Sequence, residues 1–397
     1  MSSNWSGYVA SQRQGRNAAG LWRRRRELTS PQSVLCTVGG RDLINFSSND
    51  YLGLANNSNL KQIAASAAAQ WGVGAGASHV VCGHQSPHES LEKDIANLVG
   101  AQRALLFSTG YMANLGVVSA LAERGDVVLQ DRLNHASIID AVVLSSSTSL
   151  RYAHGDVDHA RARLAKYRSS KQRCLLVSDT IFSMDGDIAP VVELKRLADD
   201  VGALLLLDDA HGFGVCGERG AGSLSMLKMK PEGNVLMIGT LGKAVGGFGA
   251  FVAGEAVFID HVAQFARSYV YTTALPAYVA ETNRAAVQMI TDQPGDELRG
   301  RLESNISLFR VLARQHDLPV RASRTAIQPV VVGCERRVVK MSQMLERMGF
   351  WVVAIRPPTV PKGTARLRVS LSAAHTHHQI ESLVAALSVT FAEAVDV

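Results

Sequence analysis

The sequence predicts an α/β fold in which a mostly parallel central sheet forms a large domain and a smaller α+β domain follows it. Short apolar runs recur through the middle of the chain, and the stretches between them have the apolar spacing of helices. Strand and helix alternate at roughly 30 residues per unit, which is typical of βαβ crossovers. We expect an N-terminal arm at 1–45, a large domain at 46–290 and a small domain at 291–397.

The composition is that of a globular protein. Its 397 residues are 47% hydrophobic and 19% charged, and this length suits two or three domains. No apolar run approaches the ~18 residues of a membrane span, so we expect no association with a membrane. Five scattered cysteines have neither a CxxC motif nor metal-ligand spacing. This pattern predicts reduced thiols in a cytoplasmic protein without a bound metal.

Much of the net charge of +6 lies in the basic run RQGRNAAGLWRRRREL at 13–28. Such a run is compatible with nucleic-acid binding, a targeting signal or a solvated helix face. No apolar stretch follows it, as a secretory signal would require, and no interleaved aromatics accompany it. The first acidic residue is Glu27, so an organellar presequence remains an alternative. We expect no nucleic-acid partner and interpret Arg24, Arg25 and Arg26 as a solvated helix face.

Five apolar runs predict strands that are buried on both faces. Each ends in polar residues and glycines, and together they span 103–114, 126–137, 173–187, 203–214 and 234–247. The segment PVVELKRLADDVG at 190–202 predicts a helix between two of them, because proline stands near its start and glycine at its end.

The region after residue 290 predicts the smaller domain. A long amphipathic helix is expected within 291–315, followed by a mixture of strands and helices. The strands are expected at 326–333, 351–360 and 365–372, and the helices at 336–349 and 376–395.

Residues that follow the strands form the candidate site, because ligands of open α/β sheets bind beyond the carboxyl ends of strands. These residues are Gly110, Tyr111, His135, Ser183, Asp208, His211, Thr240 and Lys243. Lys243 is the only charge in NVLMIGTLGKAVGGFGAFVAG, at 234–254. The segment resembles a phosphate-binding loop, but Met237 and Ala244 replace the required glycine and hydroxyl residue. A surface lysine is the alternative; a desolvated one would be a nucleophilic amine suited to a Schiff base.

Three further features favour pyridoxal phosphate (PLP) as the ligand. Asp208 follows four leucines, and a buried carboxylate there needs a cationic partner such as a protonated pyridine nitrogen. His211 could reach the same ligand, although a local hydrogen bond between the two is an equally good interpretation. The segment STGYMAN at 108–114 offers free N–H groups at a helix start, which suits a phosphate. A Schiff-base lysine with an aspartate for the pyridinium is the arrangement that PLP uses.

Five segments together resemble the α-oxoamine synthases, a family of fold-type I PLP-dependent enzymes. They are NFSSNDYLGL, LQDRLNHASIIDA, FSMDGDIAP, DDAHGFGVCGERG and TLGKAVGGFGA, in the family's order and spacing. The resemblance implies that Lys243 forms the internal aldimine and then acts as acid and base. It also implies that Asp208 pairs with the pyridine nitrogen and His211 contacts the ring hydroxyl.

The same resemblance implies roles for other residues. His135 would stack on the cofactor and face the substrate, and Ser183 and Thr240 would seat the cofactor and its phosphate. Gly110 and Tyr111 would line the site. Thr272 and Thr273, in YTTALP, would be lent to the phosphate of a partner subunit, which implies a homodimer with active sites at the subunit interface.

The segment AIRPPTVPKGTARLRVSLSAAH at 354–375 resembles members that condense L-alanine with a pimeloyl thioester in biotin biosynthesis. That reaction is a decarboxylative acyl transfer through PLP aldimine and quinonoid intermediates. Arg368 would bind the α-carboxylate, with Asn49, Thr359 and Arg23 as further substrate contacts. The acyl carrier is either coenzyme A or acyl carrier protein.

Three residues nearby are interpreted as structural. We expect Arg366 to be an exposed arginine on an edge strand, and Asp185 and Glu218 to be turn residues. Two alternatives remain for the function: another α-oxoamine synthase with a different amino acid or acyl thioester, such as a 2-amino-3-ketobutyrate ligase-like enzyme, or a non-catalytic PLP-fold protein that acts as a binding partner or regulator.

Overall fold

The computed structural model describes residues 4–18, 21–23, 25–169 and 172–394. Its strands are β1 (Leu35–Val38), β2 (Arg41–Asn45), β3 (Arg103–Phe107), β4 (Val127–Asp131), β5 (Thr148–Tyr152), β6 (Cys174–Asp179), β7 (Leu204–Asp208), β8 (Val235–Thr240), β9 (Ala250–Gly254), β10 (Ile327–Gly333), β11 (Phe350–Trp351), β12 (Val353–Ile355) and β13 (Ala365–Ser370).

Helices cover most of the remaining described chain. They are α1 (Trp5–Ala18), α2 (Ser58–Trp71), α3 (Ser86–Val99), α4 (Gly110–Leu121), α5 (Ala136–Leu144), α6 (Val157–Tyr167), α7 (Val191–Val201), α8 (Ser223–Met226), α9 (Ala256–Phe265), α10 (Arg267–Val270), α11 (Ala277–Thr291), α12 (Gln293–Gln315), α13 (Glu335–Arg347) and α14 (His377–Glu393). None of the described helices has both the length and the apolar character that a membrane crossing requires.

A seven-stranded sheet with the order β3-β9-β8-β7-β6-β4-β5 forms the centre of the molecule. All neighbours pair in parallel except β9, which is antiparallel to both β3 and β8. This confirms the predicted mostly parallel sheet. The sequence prediction missed β5 and β9. Only two residues of β5 are buried because it is an edge strand, and β9 lies within the glycine-rich segment that contains Lys243.

Helices cover both faces of this sheet. Leu206 of β7 packs in a core with Ile138 of α5, whereas its neighbours Leu205 and Leu207 pack in another core with Leu194 of α7. Each strand thus contributes alternate side chains to two cores, which makes a three-layer arrangement. The expected helix at 190–202 is α7, and its C-terminal cap is Gly202 in the left-handed conformation, with φ 61°.

The C-terminal region contains a second, antiparallel sheet with the order β10-β13-β12. Its middle strand is β13, and all six residues of that strand are buried. A third sheet joins β1 and β2 to β11, with Ile44 paired to Phe350. The end of the N-terminal arm therefore packs on the C-terminal region. We retain 1–45, 46–290 and 291–397 as proposed divisions of the chain.

Arg25 and Arg26 do not lie on the helix face expected for them, although Arg13 and Arg16 of the same basic run lie in α1. Helix α1 ends at Ala18, and Arg25 and Arg26 lie in irregular backbone beyond it; Arg24 lies outside the described residues. Arg26 forms a salt bridge of 2.6 Å with Glu346 of α13 and lies 5.6 Å from the centroid of the Trp351 ring. The expectation of a helix face was therefore wrong for Arg25 and Arg26, and Arg26 instead contacts the C-terminal region through these two interactions.

Candidate active site

Lys243 lies in the turn between β8 and β9, directly after the carboxyl end of β8. Its Nζ is 2.8 Å from Nε2 of His211. Burial lowers the pKa of Lys243 to about 8, although Asp208 and Asp179 oppose this effect. About a tenth of the amine is therefore uncharged and nucleophilic at pH 7, far more than for a lysine with the ordinary pKa of about 10.4.

Asp208 is the last residue of β7 and is 5% exposed. Its carboxylate accepts hydrogen bonds from Nδ2 of Asn114, at 2.6 Å, and from the backbone N–H of Ala210, at 3.0 Å. The next residue, Asp209, is turned away and accepts from the backbone N–H and the hydroxyl of Ser223. Alternation along the strand therefore assigns Asp208 to the site and Asp209 to the support of the following loop.

His211 is buried between Lys243 and Tyr51. Its Nδ1 lies 2.7 Å from the Tyr51 hydroxyl, on the opposite side of the ring from the lysine contact. Burial lowers the pKa of His211 well below its ordinary value, and the positive charges of Lys243 and Arg368 lower it further. The imidazole is therefore neutral and carries one N–H.

His135 caps the start of α5, and its ring is exposed to solvent. The backbone N–H of His135 donates to Oδ2 of Asp179 at 2.7 Å, which fixes the position of the residue. Its Nδ1 is 2.7 Å from the Ser137 hydroxyl. Asn114 also donates to that hydroxyl, at 3.0 Å. His135 and Asp208 therefore belong to one hydrogen-bonded network.

The start of α4 provides an open cradle beside this network. Thr109 caps the helix by accepting from the backbone N–H of Met112 at 3.2 Å. Apart from its chain neighbours and the backbone of its own helix, no described atom lies within 4 Å of the position that a Cβ at Gly110 would take, so there is room for a ligand there. Tyr111 is 41% exposed and its hydroxyl donates to Asp140. Its ring stands edge-on to His135, with centroids 6.5 Å apart.

Arg368 projects from β13 towards the large sheet. Its Nε donates to the backbone oxygen of Ser183 at 2.6 Å, and its Nη1 donates to Oδ1 of Asn49 at 3.2 Å and to the hydroxyl of Ser370 at 2.8 Å. The contact with Ser183 is thus made through its backbone. Since Asn49 also contacts Tyr51, at 3.2 Å, Arg368 is linked through it to His211 and Lys243.

Arg366 is 1% exposed, so the expectation of an exposed arginine on an edge strand was wrong. The reason is that β13 is the middle strand of its sheet, with no free edge. Arg366 forms a salt bridge with Asp185 and donates to the backbone oxygen of Thr364 at 3.0 Å. Asp185 also pairs with Arg321, at 3.1 Å.

The remaining predicted site residues are Thr240, Arg23, Thr359, Thr272 and Thr273. Thr240 donates to the backbone oxygen of Gly249 at 3.1 Å and braces the Lys243 turn. Arg23 donates to the Thr359 hydroxyl at 2.9 Å, across 336 positions of sequence. Thr272 and Thr273 lie between α10 and α11, and within the described chain they make no hydrogen bond to either network above. Glu218 begins a 3₁₀ turn, Glu218–Gly220.

The sequence analysis did not predict four buried polar residues of the candidate site. They are Tyr51, Asn114, Ser137 and Asp179, each no more than 4% exposed. Asn114 could have been found, since it is one helical turn after Gly110 in an otherwise apolar helix. Tyr51 lies within NFSSNDYLGL, where no local pattern distinguishes a buried hydroxyl from an ordinary aromatic core residue.

Comparisons with known proteins place the chain in a well-populated family. The model of the family described as aminotransferase class I and II matches residues 41–387. The chain is 48% identical over 371 residues to 8-amino-7-oxononanoate synthase of Methylococcus capsulatus, covering 94% of this chain and 95% of the relative. It is 50% identical over 374 residues to the protein of the same name from Alkalilimnicola ehrlichii, covering 94% of each.

Solved structures share the fold. A serine palmitoyltransferase from S. paucimobilis, with a bound PLP–myriocin aldimine, is similar with a TM-score of 0.91 and 28% identity, covering 97% of each chain. The 8-amino-7-oxononanoate synthase from Francisella tularensis is similar with a TM-score of 0.76 and 28% identity, covering 88% of this chain and 98% of that one.

Proposed function

Because the chain belongs to the aminotransferase class I and II family, and within it to the 8-amino-7-oxononanoate synthases, we propose that it condenses L-alanine with a pimeloyl thioester and releases CO₂. This is an acyl-transfer step of biotin biosynthesis, and its cofactor is PLP. The observation that carries the proposal is that a desolvated Lys243, a buried Asp208 and a buried Arg368 converge at the carboxyl ends of the central strands.

The residues present fit PLP. Both hydrogen-bond donors to Asp208 are uncharged, so the buried carboxylate can still receive a protonated ring nitrogen. The open face at Gly110 lies where the first N–H groups of α4 have no acceptor inside the helix, and that arrangement suits a phosphate. The exposed ring of His135 offers a surface on which an aromatic ring can stack.

When bound, PLP supplies an electron sink for the bonds that change at the Cα atom of the amino acid. Lys243 provides the amine that attaches the cofactor, and once released it is a base of suitable pKa to take the Cα proton. Asp208 would hold the proton on the ring nitrogen, and His211 would contact the ring hydroxyl. Gly110, Tyr111, Ser183 and Thr240 line the cofactor site.

Arg368 binds the α-carboxylate of L-alanine, since a guanidinium forms bidentate hydrogen bonds with a carboxylate. Asn49 orients Arg368 by accepting from its Nη1. Arg23 of the N-terminal arm and Thr359 of the C-terminal region are paired at the surface. In this proposal they contact the acyl substrate. Basic residues near them suit either coenzyme A or an acyl carrier protein, since both carry negative charge.

A homodimer completes the site in this proposal. Thr272 and Thr273 are lent to the phosphate of the partner subunit. The backbone N–H of Ala274, directly after them, donates to the oxygen of Ala77 at 2.9 Å. Nε2 of His88 lies at hydrogen-bond distance, 2.5 Å, from the backbone oxygen of Leu275. These two contacts hold the segment in place at the surface.

A sister enzyme of the same family is the second candidate. The serine palmitoyltransferase structure matches nearly the whole fold, which favours a shared cofactor site but not a shared substrate. The identities of 48% and 50% to 8-amino-7-oxononanoate synthases favour L-alanine and a pimeloyl thioester.

A substrate matrix tests the proposal. The purified enzyme with PLP is assayed with L-alanine, glycine and L-serine, each against pimeloyl and longer acyl thioesters of coenzyme A and of acyl carrier protein. We expect the highest kcat/KM for L-alanine with a pimeloyl donor, and no turnover by Lys243→Ala. A preference for glycine or L-serine would assign the chain to a sister activity. Wild-type turnover by Lys243→Ala would contradict the lysine mechanism.

A further inference from the structure

A chain of four hydrogen bonds runs from Lys243 to Arg368 and passes through a tyrosine that the reaction above does not use. Nζ of Lys243 is 2.8 Å from Nε2 of His211, and Nδ1 of His211 is 2.7 Å from the Tyr51 hydroxyl. The Tyr51 hydroxyl is 3.2 Å from Oδ1 of Asn49, which also accepts from Arg368 at 3.2 Å. Tyr51 is 1% exposed, so its hydroxyl makes its contacts in a buried environment.

The protons along this chain can be placed from the chemistry of its groups. A lysine ammonium only donates, so Nε2 of His211 accepts from it. A neutral imidazole has one N–H, which must then be on Nδ1, and the Tyr51 oxygen accepts it. The Tyr51 hydroxyl in turn donates to Oδ1 of Asn49. That oxygen has two lone pairs, so it serves both Tyr51 and Arg368.

We propose that Tyr51 is a positioning residue that holds His211 in the Nδ1–H tautomer, so that Nε2 faces the Lys243 amine in the cofactor-free protein and would face the ring hydroxyl when PLP is bound. The inference rests on the proposed function, in which Lys243 is the reactive amine. Without the Tyr51 oxygen, the Nδ1–H would be buried with no acceptor, which is unfavourable. The proton would move to Nε2 or the ring would turn, and Lys243 would lose its acceptor in either case.

The tyrosine ring is held independently of its hydroxyl. The backbone oxygen of Tyr51 accepts from the N–H of Ala373 at 2.8 Å, and the Asp50 carboxylate accepts from the N–H groups of Leu54, at 2.8 Å, and Ala55, at 3.1 Å. Tyr51→Phe should therefore keep the ring in place and remove only the oxygen. Tyr152→Phe is the matched control, because Tyr152 is also 1% exposed but lies on the edge strand β5.

Nitrogen NMR of the full-length protein, freed of cofactor and labelled with ¹⁵N-histidine, reads the tautomer directly. The His211 signals are assigned by their loss in His211→Asn. We expect a protonated Nδ1 in the wild type and in Tyr152→Phe, and loss of that state in Tyr51→Phe. A proton on Nε2 in the wild type, or an unchanged Nδ1–H in Tyr51→Phe, overturns the proposal.

Steady-state kinetics of the PLP-loaded enzyme give the second readout. Loss of one buried hydrogen bond to the catalytic unit should lower kcat by roughly tenfold. The KM for L-alanine should change less than kcat, since Arg368 loses its contact with the Tyr51 hydroxyl but keeps those with Ser183, Asn49 and Ser370. A raised KM with unchanged kcat would instead place Tyr51 in the carboxylate site and overturn the proposal. Failure of the wild type to use L-alanine would contradict the proposed function, while the NMR result would still decide the tautomer.

Discussion

Arg366 and Arg368 are separated by one residue of β13, and both are buried, yet their partners differ. Arg366 is neutralised by the Asp185 carboxylate. Within the described chain, the hydrogen-bond acceptors of Arg368 are neutral oxygens, those of Ser183, Asn49 and Ser370. A buried guanidinium with neutral partners can still receive an anion, whereas Arg366 is already paired. We therefore propose Arg368, rather than Arg366, as the residue that binds the substrate carboxylate, and a structural role for Arg366.

These two arginines should give opposite phenotypes. Arg368→Ala should retain PLP and need at least tenfold more L-alanine, because a charge-assisted pair is worth about 1.5–3 kcal/mol. Arg366→Ala leaves the buried Asp185 with Arg321 alone and should lower the free energy of unfolding by roughly 3 kcal/mol. Spectral titration with L-alanine and urea denaturation measure the two effects. Reversed phenotypes would mean that the carboxylate site is at Arg366.

The lowered pKa of Lys243 should appear in the pH dependence of stability. Its pKa is about 8 in the folded protein and about 10.4 in an unfolded chain. Between these values the unfolded chain binds a proton that the folded protein does not, so this group makes stability rise with pH. Below about pH 8 both states are protonated and the slope disappears.

The measurement compares the cofactor-free wild type with Lys243→Met by urea denaturation at several pH values. From pH 8 to 10 the unfolding free energy of the wild type should rise relative to that of the variant. A constant difference between the two proteins across this range would show that the folded-state pKa is not lowered.

The sequence alone was sufficient to predict the charged residues of the candidate site. It did not predict the uncharged residues that are hydrogen-bonded to them or to their partners. Lys243 stands out because it is the only charge in a glycine-rich apolar segment, and Asp208 because it directly follows four leucines. Asn114 and Tyr51 carry no charge, and their importance arises from partners 94 and 160 positions away. Such partners are set by the packing of distant segments, which local spacing does not report.

At the scale of elements, two glycine-to-alanine substitutions should change stability in opposite directions. One glycine has a left-handed backbone that disfavours other residues, and the other lies within a helix that alanine would stabilise. Gly202 ends α7 in the left-handed region, with φ 61°, and Gly300 lies within α12; no described atom lies within 4 Å of a Cβ built at either. Gly202→Ala should cost about 1 kcal/mol of stability, because a Cβ disfavours that backbone. Gly300→Ala should add about 0.5–1 kcal/mol. Thermal unfolding of both variants measures these changes in stability. A stability change of the same sign in the two variants would contradict the prediction.

Elements were predicted best where apolar periodicity is strong. Helix α7 and strands β6, β7 and β8 occupy the expected segments, since each presents whole apolar faces to the two cores. The position of β13 within its sheet was missed, because a strand's neighbours are a property of topology. Alternating arginines in RLRVSL suggested an exposed edge, whereas the partners in 183–185 bury both.

At the scale of the whole molecule, the proposed shared site allows a test by mixed dimers. Lys243→Ala lacks the amine, and a Thr272→Ala, Thr273→Ala double variant should hold PLP weakly. If the threonines serve the partner's phosphate, co-expressed differently tagged chains will form one intact site per mixed dimer and regain activity at limiting PLP. Purification by both tags isolates that species. No recovery in the mixed dimer would place the threonines in their own subunit's site or outside any site.

Side chains of β13 point alternately to its two faces, so the number of residues in this strand matters as much as their identity for the contacts that it makes. Because successive side chains point to opposite faces, deletion of Leu367 would make Arg366 and Arg368 adjacent and send one of them away from the loop at 183–185. A single missing residue would thereby either turn Arg368, the proposed carboxylate anchor, away from that loop and Val369 out of the core, or break the salt bridge of Arg366 with Asp185. Insertions and deletions should consequently be far more damaging in this strand than in the exposed turn at 361–363, which contributes to neither contact.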